Sequence, residues 1–289
     1  MTLRHQGRAL NLQALPSNLP ATGKIVLLVH GLCMNELQWQ APQQDAAPAV
    51  DYGQALADAL GYTPLYLRYN SGLHISHNGR ALADLLEQLA THWPVPLQDL
   101  SIVGHSMGGL LARSAVQHAR QTGQTWPRHL KNIVFLGTPH HGAPLERAGS
   151  WLDQVLGSIP YSAPFARLGQ LRSAGITDLR YGHVQDADWQ SVGNRHKPHP
   201  DMRQPLPLPE GVNCYAAAAT LAAKRSLLSE RLTGDGLVPL RSALGQHENP
   251  QHQLHFAPGA QWTGYRMGHL ALLHSPEISA QLLKWLGEH

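Results

Sequence analysis

The segment Gly104-His105-Ser106-Met107-Gly108-Gly109 decides the fold, because it lies directly between a predicted strand and a predicted helix. Three of residues 100–103 before it are apolar, and Met107 to Arg120 after it carry apolar residues at helical spacing. A serine at such a strand-to-helix turn has a strained backbone that raises its hydroxyl above the sheet edge. This context predicts Ser106 as a nucleophile, and the alternative is an incidental serine in a glycine-rich turn.

Outward from this segment, short apolar runs alternate with helical patterns, which is typical of a parallel sheet with crossover helices. The further predicted strands are Ile25–Val29, Tyr62–Tyr69, Ile133–Leu136, Val212–Ala218 and Gln253–Phe256. A helix is predicted over Ala81–Leu89, and a last one after Ser275, with serine as N-cap and Pro276 at the first helical position. The sequence therefore predicts an α/β class: a mostly parallel central sheet flanked by helices.

The alternation breaks between residues 143 and 210, where no core strand is predicted but short helical patterns occur. Proline-rich stretches close this interval, and the sheet pattern then resumes. Because α/β folds of this length are often one unit, residues 1–289 are predicted to form a single domain. Residues 143–210 are predicted to be a helical cap or lid inserted into it.

The composition excludes several classes of protein. Only 14% of the 289 residues are charged, and the net charge of +3 comes from scattered Lys and Arg, so nucleic-acid binding is not predicted. Cys33 and Cys214 are too few and too distant for a disulfide scaffold. The sequence has neither an apolar signal segment at its start nor a run long enough to span a membrane, so we expect a cytoplasmic protein.

A serine nucleophile needs a base that titrates near neutrality, which indicates a histidine, and the sequence has 19 of them. In this architecture an acid and then the histidine follow the serine along the chain. His269, just before the last helix, is the predicted base, with His274 as the alternative. Asp235, between two glycines, is the predicted acid; Glu230 and Asp201 are the alternatives.

Two backbone amides are predicted to bind the oxyanion that a nucleophilic attack creates. The amide of Met107 opens the helix after the nucleophile, where the helix dipole adds to its effect. The amide of Leu32 follows His30-Gly31 at the end of the first buried strand. His30 is expected to fix this loop by hydrogen bonding.

These motifs resemble the α/β-hydrolase superfamily, and within it the lipase and esterase branch. Gly137-Thr138-Pro139-His140-His141-Gly142 is similar to a segment of bacterial triacylglycerol lipases and of hydrolases that deacylate lipid anchors. The resemblance implies a serine hydrolase that cleaves carboxylic esters through an acyl-enzyme and needs no cofactor. An acyltransferase or thioesterase with the same triad is the first alternative, and a non-catalytic hydrolase-like binding protein is the second.

The expected partner is a small-molecule or lipid ester, with peripheral lipid contact as a further expectation. Within residues 143–210, an acyl pocket is predicted from side chains that could otherwise only attach the cap to the sheet: Trp151, Leu152, Tyr161 and Phe165. No metal site is predicted, because the candidate histidine sets lack the spacing of zinc sites. These sets are His183, His196 and His199, and His247, His252 and His255.

Overall fold

An eight-stranded sheet forms the centre of the computed structural model, which describes residues 1–40, 50–143, 173–190, 201, 203–223 and 234–288. The strands are β1 (Thr2–His5), β2 (Arg8–Ala9), β3 (Lys24–Val29), β4 (Thr63–Arg68), β5 (Asp99–His105), β6 (Leu130–Leu136), β7 (Asn213–Thr220) and β8 (Gln261–Tyr265). They lie in the order β2-β1-β4-β3-β5-β6-β7-β8, and neighbours from β4 to β8 pair in parallel. The β1–β2 hairpin pairs antiparallel at the edge of β4.

Helices cover both faces of this sheet. They are α1 (Tyr52–Leu60), α2 (Ile75–His92), α3 (Met107–Thr122), α4 (Ala174–Tyr181), α5 (Asp186–Gln190), α6 (Leu240–Ala243) and α7 (Pro276–Gly287). Helices α2 and α3 pack together on one face, while α1 and α7 pack together on the other. The expected α/β class, a mostly parallel sheet flanked by helices, is confirmed.

The continuous apolar run of β3 is explained by this two-sided covering. Ile25, Leu27 and Val29 point into the core beneath α2 and α3, whereas Val26 and Leu28 point into the core beneath α1 and α7. Each of these side chains is fully buried. Burial of one such side chain contributes about 1.5–3 kcal/mol, so a strand in the middle of the sheet favours apolar residues at every position.

The predicted strand at Gln253–Phe256 is wrong. That stretch is a loop, and the last strand, β8, begins five residues later at Gln261. The alternating apolar side chains do enter the interior, because Leu254 is buried and Phe256 packs against both cores. A loop that inserts two side chains into the core therefore produced a strand-like pattern. His252 precedes this loop and His255 lies within it.

The interval 143–210 contributes two described helices, α4 and α5. Helix α4 begins after Ser173, whose side chain accepts a hydrogen bond from the Ile176 amide (3.3 Å), and it ends at Gly182 in the left-handed conformation. The four residues predicted to line an acyl pocket lie outside the described residues: Trp151, Leu152, Tyr161 and Phe165.

The parallel arrangement brings the carboxyl ends of the central strands to one edge of the sheet. The loops that leave this edge start at His30 after β3, at Ser106 after β5 and at Gly137 after β6. The loops after β7 and β8 carry Asp235 and His269. Residues separated by up to 239 positions in the sequence can therefore meet at this edge, where open α/β sheets bind their ligands.

Candidate active site

Ser106 lies in the tight turn between β5 and α3. Its φ of 54° and ψ of −121° are strained for a non-glycine residue, and its amide donates a hydrogen bond to the Leu136 carbonyl oxygen (2.8 Å). A Cβ at Gly104 would lie 2.6 Å from the Gly109 nitrogen, and a Cβ at Gly108 would overlap the Val29 carbonyl oxygen. The two glycines of the motif are thus needed because the backbone passes itself at van der Waals contact here.

Asp235 and His269 are joined by a short, buried hydrogen bond. His269 Nδ1–H donates to Asp235 Oδ2 at 2.6 Å, and both side chains are almost completely buried. The other carboxylate oxygen, Oδ1, accepts the amides of Leu237 (3.0 Å) and Val238 (2.8 Å). The His269 amide also donates to the Asp235 carbonyl oxygen (3.1 Å). These bonds fix the carboxylate and hold the imidazole with its Nε2 free of the proton, which is the tautomer that a general base requires.

His269 contacts His105, the residue directly before Ser106. The ring of His105 lies 4.6 Å from that of His269, centroid to centroid, and its Nε2–H donates to the His269 carbonyl oxygen (3.2 Å). Burial holds the pKa of His105 well below its usual range, so this ring stays neutral. Within the described residues, no hydrogen bond joins Ser106 Oγ to His269 Nε2. Such catalytic bonds often tighten only when substrate binds.

The segment after β6 makes room for the imidazole. Gly137 has a φ of 58°, and a Cβ on it would lie 3.0 Å from Cε1 of His269. His140 is buried against the Phe135 ring, at 4.7 Å between centroids, and burial holds its pKa well below the ordinary value. A structural role for this histidine agrees with these contacts.

The loop after β3 lies against Ser106 and carries Leu32, whose amide is the second predicted oxyanion donor. His30 Nδ1–H donates to the Gly31 carbonyl oxygen (2.9 Å), while its Nε2 accepts the Tyr69 amide (3.4 Å). In a trans peptide the carbonyl and the following N–H point in opposite directions, so this bond turns the Leu32 N–H away from His30. A Cβ at Gly31 would lie 3.1 Å from the Ser106 Cβ, so Gly31 and Ser106 are in close contact.

In the part of the chain that the structure describes, neither the Leu32 N–H nor the Met107 N–H has a hydrogen-bond acceptor. Met107 is the first residue of α3, where helix amides have no partner within the helix. Burial lowers the pKa of His30 to about 4, so the ring is neutral near pH 7, and its bonds to the Gly31 carbonyl and the Tyr69 amide select one tautomer.

The alternative residues occupy other surroundings. His274 ends the turn that starts at His269. Burial lowers its pKa although the nearby Asp51 carboxylate opposes this shift, and within the described ranges no carboxylate is hydrogen-bonded to its ring. Asp201 is paired with Arg203 at 2.6 Å and lies 3.4 Å from His247. Glu230 lies outside the described residues. Asp235 is therefore the carboxylate that contacts His269.

Among the described residues, no group of three or more His, Cys, Asp or Glu side chains could hold a metal ion. His247 and His252 lie near each other, with ring centroids 5.1 Å apart, whereas His196 and His199 are outside the described residues. None of the helices described is both long and apolar enough to cross a bilayer.

Sequence reasoning missed two contributors to this site, His105 as a donor to the His269 carbonyl and Ser71 as an acceptor for the Cys33 amide (3.0 Å). His105 adjoins the nucleophile, so its position was a usable signal. No sequence signal points to Ser71, because it lies in a different loop, 38 residues from Cys33.

Comparisons with known proteins agree with the fold. The mature form of Bacillus licheniformis lipase BlEst2 is 16% identical over 94% of this chain and 95% of its own, with a TM-score of 0.54. Aspergillus fumigatus lipase B is 10% identical over 96% of this chain and 57% of its own, with a TM-score of 0.56. Identities this low show the α/β-hydrolase fold alone. A comparison with curated proteins found no significant match.

A family model covers the part of the chain that carries β3 to β6, Ser106 and both described helices of the interval 143–210. It is the model of the PGAP1-like alpha/beta domain, and it matches residues 20–203, more than half of the chain. The chain therefore belongs to the family of PGAP1-like alpha/beta domains.

Proposed function

We propose that this protein is a serine hydrolase that cleaves carboxylic esters, with Ser106, His269 and Asp235 as its catalytic triad. The observation that carries the proposal is the 2.6 Å contact between His269 Nδ1 and Asp235 Oδ2, beside a serine on a strained turn. The similarity to lipases supports the fold that this chemistry uses. The geometry satisfies the requirement that the base be oriented by a third group.

The proposed reaction proceeds in two acyl transfers. Ser106 Oγ attacks the ester carbonyl carbon while its proton passes to His269 Nε2, and Asp235 stabilises the imidazolium. The amides of Leu32 and Met107 bind the resulting oxyanion. When the tetrahedral intermediate collapses, the alkoxide leaves with the proton from His269. Water then attacks the acyl-enzyme, gives its proton to His269, and releases the acid as Ser106 regains its hydrogen.

Labelling with a fluorophosphonate probe and hydrolysis of a p-nitrophenyl ester test this proposal. Ser106→Ala is expected to remove the label and to lower turnover about 10⁶-fold, as loss of the nucleophile does in such triads. Ser114→Ala is a matched control, because Ser114 is a buried serine of the same helix α3 that bonds the Val184 carbonyl oxygen. A Ser106→Ala enzyme with near-normal turnover would refute the proposal.

We further propose that residues 143–210 form a cap on one 1–289 domain, with Trp151, Leu152, Tyr161 and Phe165 lining an acyl pocket. The expected substrates are small-molecule or lipid esters. Hydrolysis of p-nitrophenyl esters with lengthening acyl chains tests the acyl pocket. We expect kcat/KM to rise as the acyl chain becomes longer than acetate, and the lack of such a rise would contradict the pocket. Thioesters and added alcohols in the same assay separate esterase activity from the thioesterase and acyltransferase alternatives.

A further inference from the structure

Two loops meet beside the candidate oxyanion site, one after β3 and one between β4 and α2. The Cys33 amide donates to Ser71 Oγ at 3.0 Å, and the Ser71 side chain is buried. Cys33 has a φ of 57°, a conformation that a residue with a Cβ rarely adopts without support. Ser71 therefore holds the backbone at Cys33 in a conformation that the local sequence does not favour.

This contact restrains the Leu32 amide from its carboxyl side. The peptide before Leu32 is fixed because the Gly31 carbonyl accepts His30 Nδ1–H, and the peptide after it is fixed because the Cys33 amide donates to Ser71. Peptide groups are planar, so two fixed planes on either side of one Cα leave that residue little rotational freedom. The direction of the Leu32 N–H is thus set by one hydrogen bond on each side.

Helix α4 rests on the same β4–α2 loop. The Gly175 amide donates to the Gly72 carbonyl oxygen (3.2 Å). A Cβ on Gly175 would overlap the Ser71 carbonyl oxygen and would lie 3.2 Å from the Met107 Cε atom. The first turn of α4 therefore touches both the residue that restrains Leu32 and the residue that supplies the other amide.

One turn further along, α4 is attached to the far end of this loop. The Asp178 carboxylate is fully buried, and its Oδ2 accepts the Ile75 amide (2.8 Å), which is the first N–H of α2. The same carboxylate contacts His74 Nδ1 at 3.0 Å. Because α4 is bound near Ser71 and again at Ile75, the loop between them follows the position of the helix.

We propose that Ser71 is a positioning residue of the oxyanion site and that it couples helix α4 to the Leu32 amide. The inference rests on the proposed function for its catalytic consequence, but its structural part does not. When α4 displaces Ser71, the Cys33 amide loses its hydrogen bond to Ser71 Oγ, and the Leu32 N–H keeps only the restraint that His30 places on the Gly31 carbonyl. The position of helix α4 would then control turnover by a route other than substrate binding.

Three variants of the full-length chain test this coupling. Ser71→Ala removes the acceptor, and Gly175→Ala inserts a methyl group against the Ser71 carbonyl oxygen. Ser76→Ala is the matched control: Ser76 is a buried serine whose Oγ accepts the Trp189 indole N–H (3.1 Å), so it contacts the interval 143–210 without touching the oxyanion loop. Melting temperature verifies that each variant folds.

The activity readout separates positioning from stability. Complete loss of one oxyanion donor lowers kcat about 10²–10³-fold in measured cases, so we expect a misdirected donor to lower kcat about tenfold in Ser71→Ala and Gly175→Ala, with KM within twofold. The inhibition constant of an alkyl trifluoromethyl ketone, which forms a tetrahedral adduct on serine, should rise by the same factor as kcat/KM falls. Ser76→Ala should change neither quantity more than twofold.

Hydrogen exchange supplies a readout that needs no turnover. The Cys33 amide should exchange at least tenfold faster in Ser71→Ala and in Gly175→Ala than in the wild type or in Ser76→Ala. If exchange and kcat are unchanged while Ser106→Ala is inactive, the coupling is refuted and the proposed function stands. If Ser106→Ala remains active, the proposed function fails, and the exchange rates alone decide whether α4 restrains this loop.

Discussion

Replacing Asp235 with asparagine should leave the shape of the site intact and reverse the tautomer of His269. The side-chain oxygen of asparagine must face the Leu237 and Val238 amides, which lie 3.0 and 2.8 Å from Asp235 Oδ1, because an NH₂ group there would meet two further donors. The NH₂ group then faces His269 Nδ1 at the 2.6 Å position. Nδ1 becomes the acceptor, the ring proton moves to Nε2, and Nε2 can no longer accept the Ser106 proton.

The expected cost follows from that tautomer. In a serine protease, replacing the triad aspartate with asparagine produces the same wrong histidine tautomer and lowers turnover about 10⁴-fold. This factor corresponds to about 5 kcal/mol of transition-state stabilisation. Substrate binding does not require the base, so KM for a p-nitrophenyl ester should change less than threefold in Asp235→Asn. Labelling of Ser106 by a fluorophosphonate should slow in parallel with kcat, because labelling also needs the base.

Asp188→Asn is the matched control for this experiment. Asp188 is equally buried, and its Oδ2 likewise accepts two backbone amides, Val184 at 2.8 Å and Gln185 at 3.0 Å, but it does not contact His269. It should lower the melting temperature while kcat stays within about threefold. If Asp235→Asn retained more than a tenth of wild-type kcat, the reasoning that Asp235 sets the tautomer of His269 would be wrong.

Three further expectations follow from the same loops. Gly108→Ala places a Cβ against the Val29 carbonyl oxygen and 2.8 Å from that of His30, so urea unfolding should show a loss of about 3 kcal/mol. His30→Leu should lower kcat about tenfold, because it removes the hydrogen bond that orients the Gly31 carbonyl. His30→Asn can still donate to this carbonyl and should retain most of the wild-type kcat. Equal losses of kcat in the two variants would contradict the role of this hydrogen bond. The depressed pKa of His30, about 4 against about 6.5 unfolded, means that the unfolded chain binds more protons below pH 6.5. Stability therefore falls as pH falls, and the wild type should lose about 2 kcal/mol more than His30→Asn between pH 7 and 5; identical pH slopes would argue against a buried neutral ring.

The parts of the fold that sequence predicted are those set by neighbouring residues. The strained turn at Ser106 and its two glycines follow from local steric contacts, and the central strands follow from burial on both faces. The edge hairpin β1–β2 was missed because its strands are short and partly polar, although Gln6 and Gly7 both have positive φ at its turn. A sequence predicts a site residue reliably only where contacts between residues close in the chain determine the structure.

The start of α2 illustrates why the remainder was not predicted. The expected helix began at Ala81, but α2 starts six residues earlier at Ile75, after His74, whose side chain makes no capping bond to the helix. The cap comes instead from Asp178, 103 residues away, which accepts the Ile75 amide. No N-cap signal precedes Ile75 in the sequence, because a residue of α4 supplies that function.

Long-range contacts also explain why the proposed nucleophile was easier to predict than Ser71, the residue proposed to position the oxyanion site. Ser106 is identified by glycines two residues away on either side, whereas the direction of the Leu32 amide depends on Ser71 and, through it, on Gly175. A substitution on α4 can therefore change kcat without altering any residue of the triad. If kcat in a series of α4 variants followed the exchange rate of the Cys33 amide, this dependence would be measured directly. Variants that lower kcat while Cys33 stays protected would place the control of turnover elsewhere.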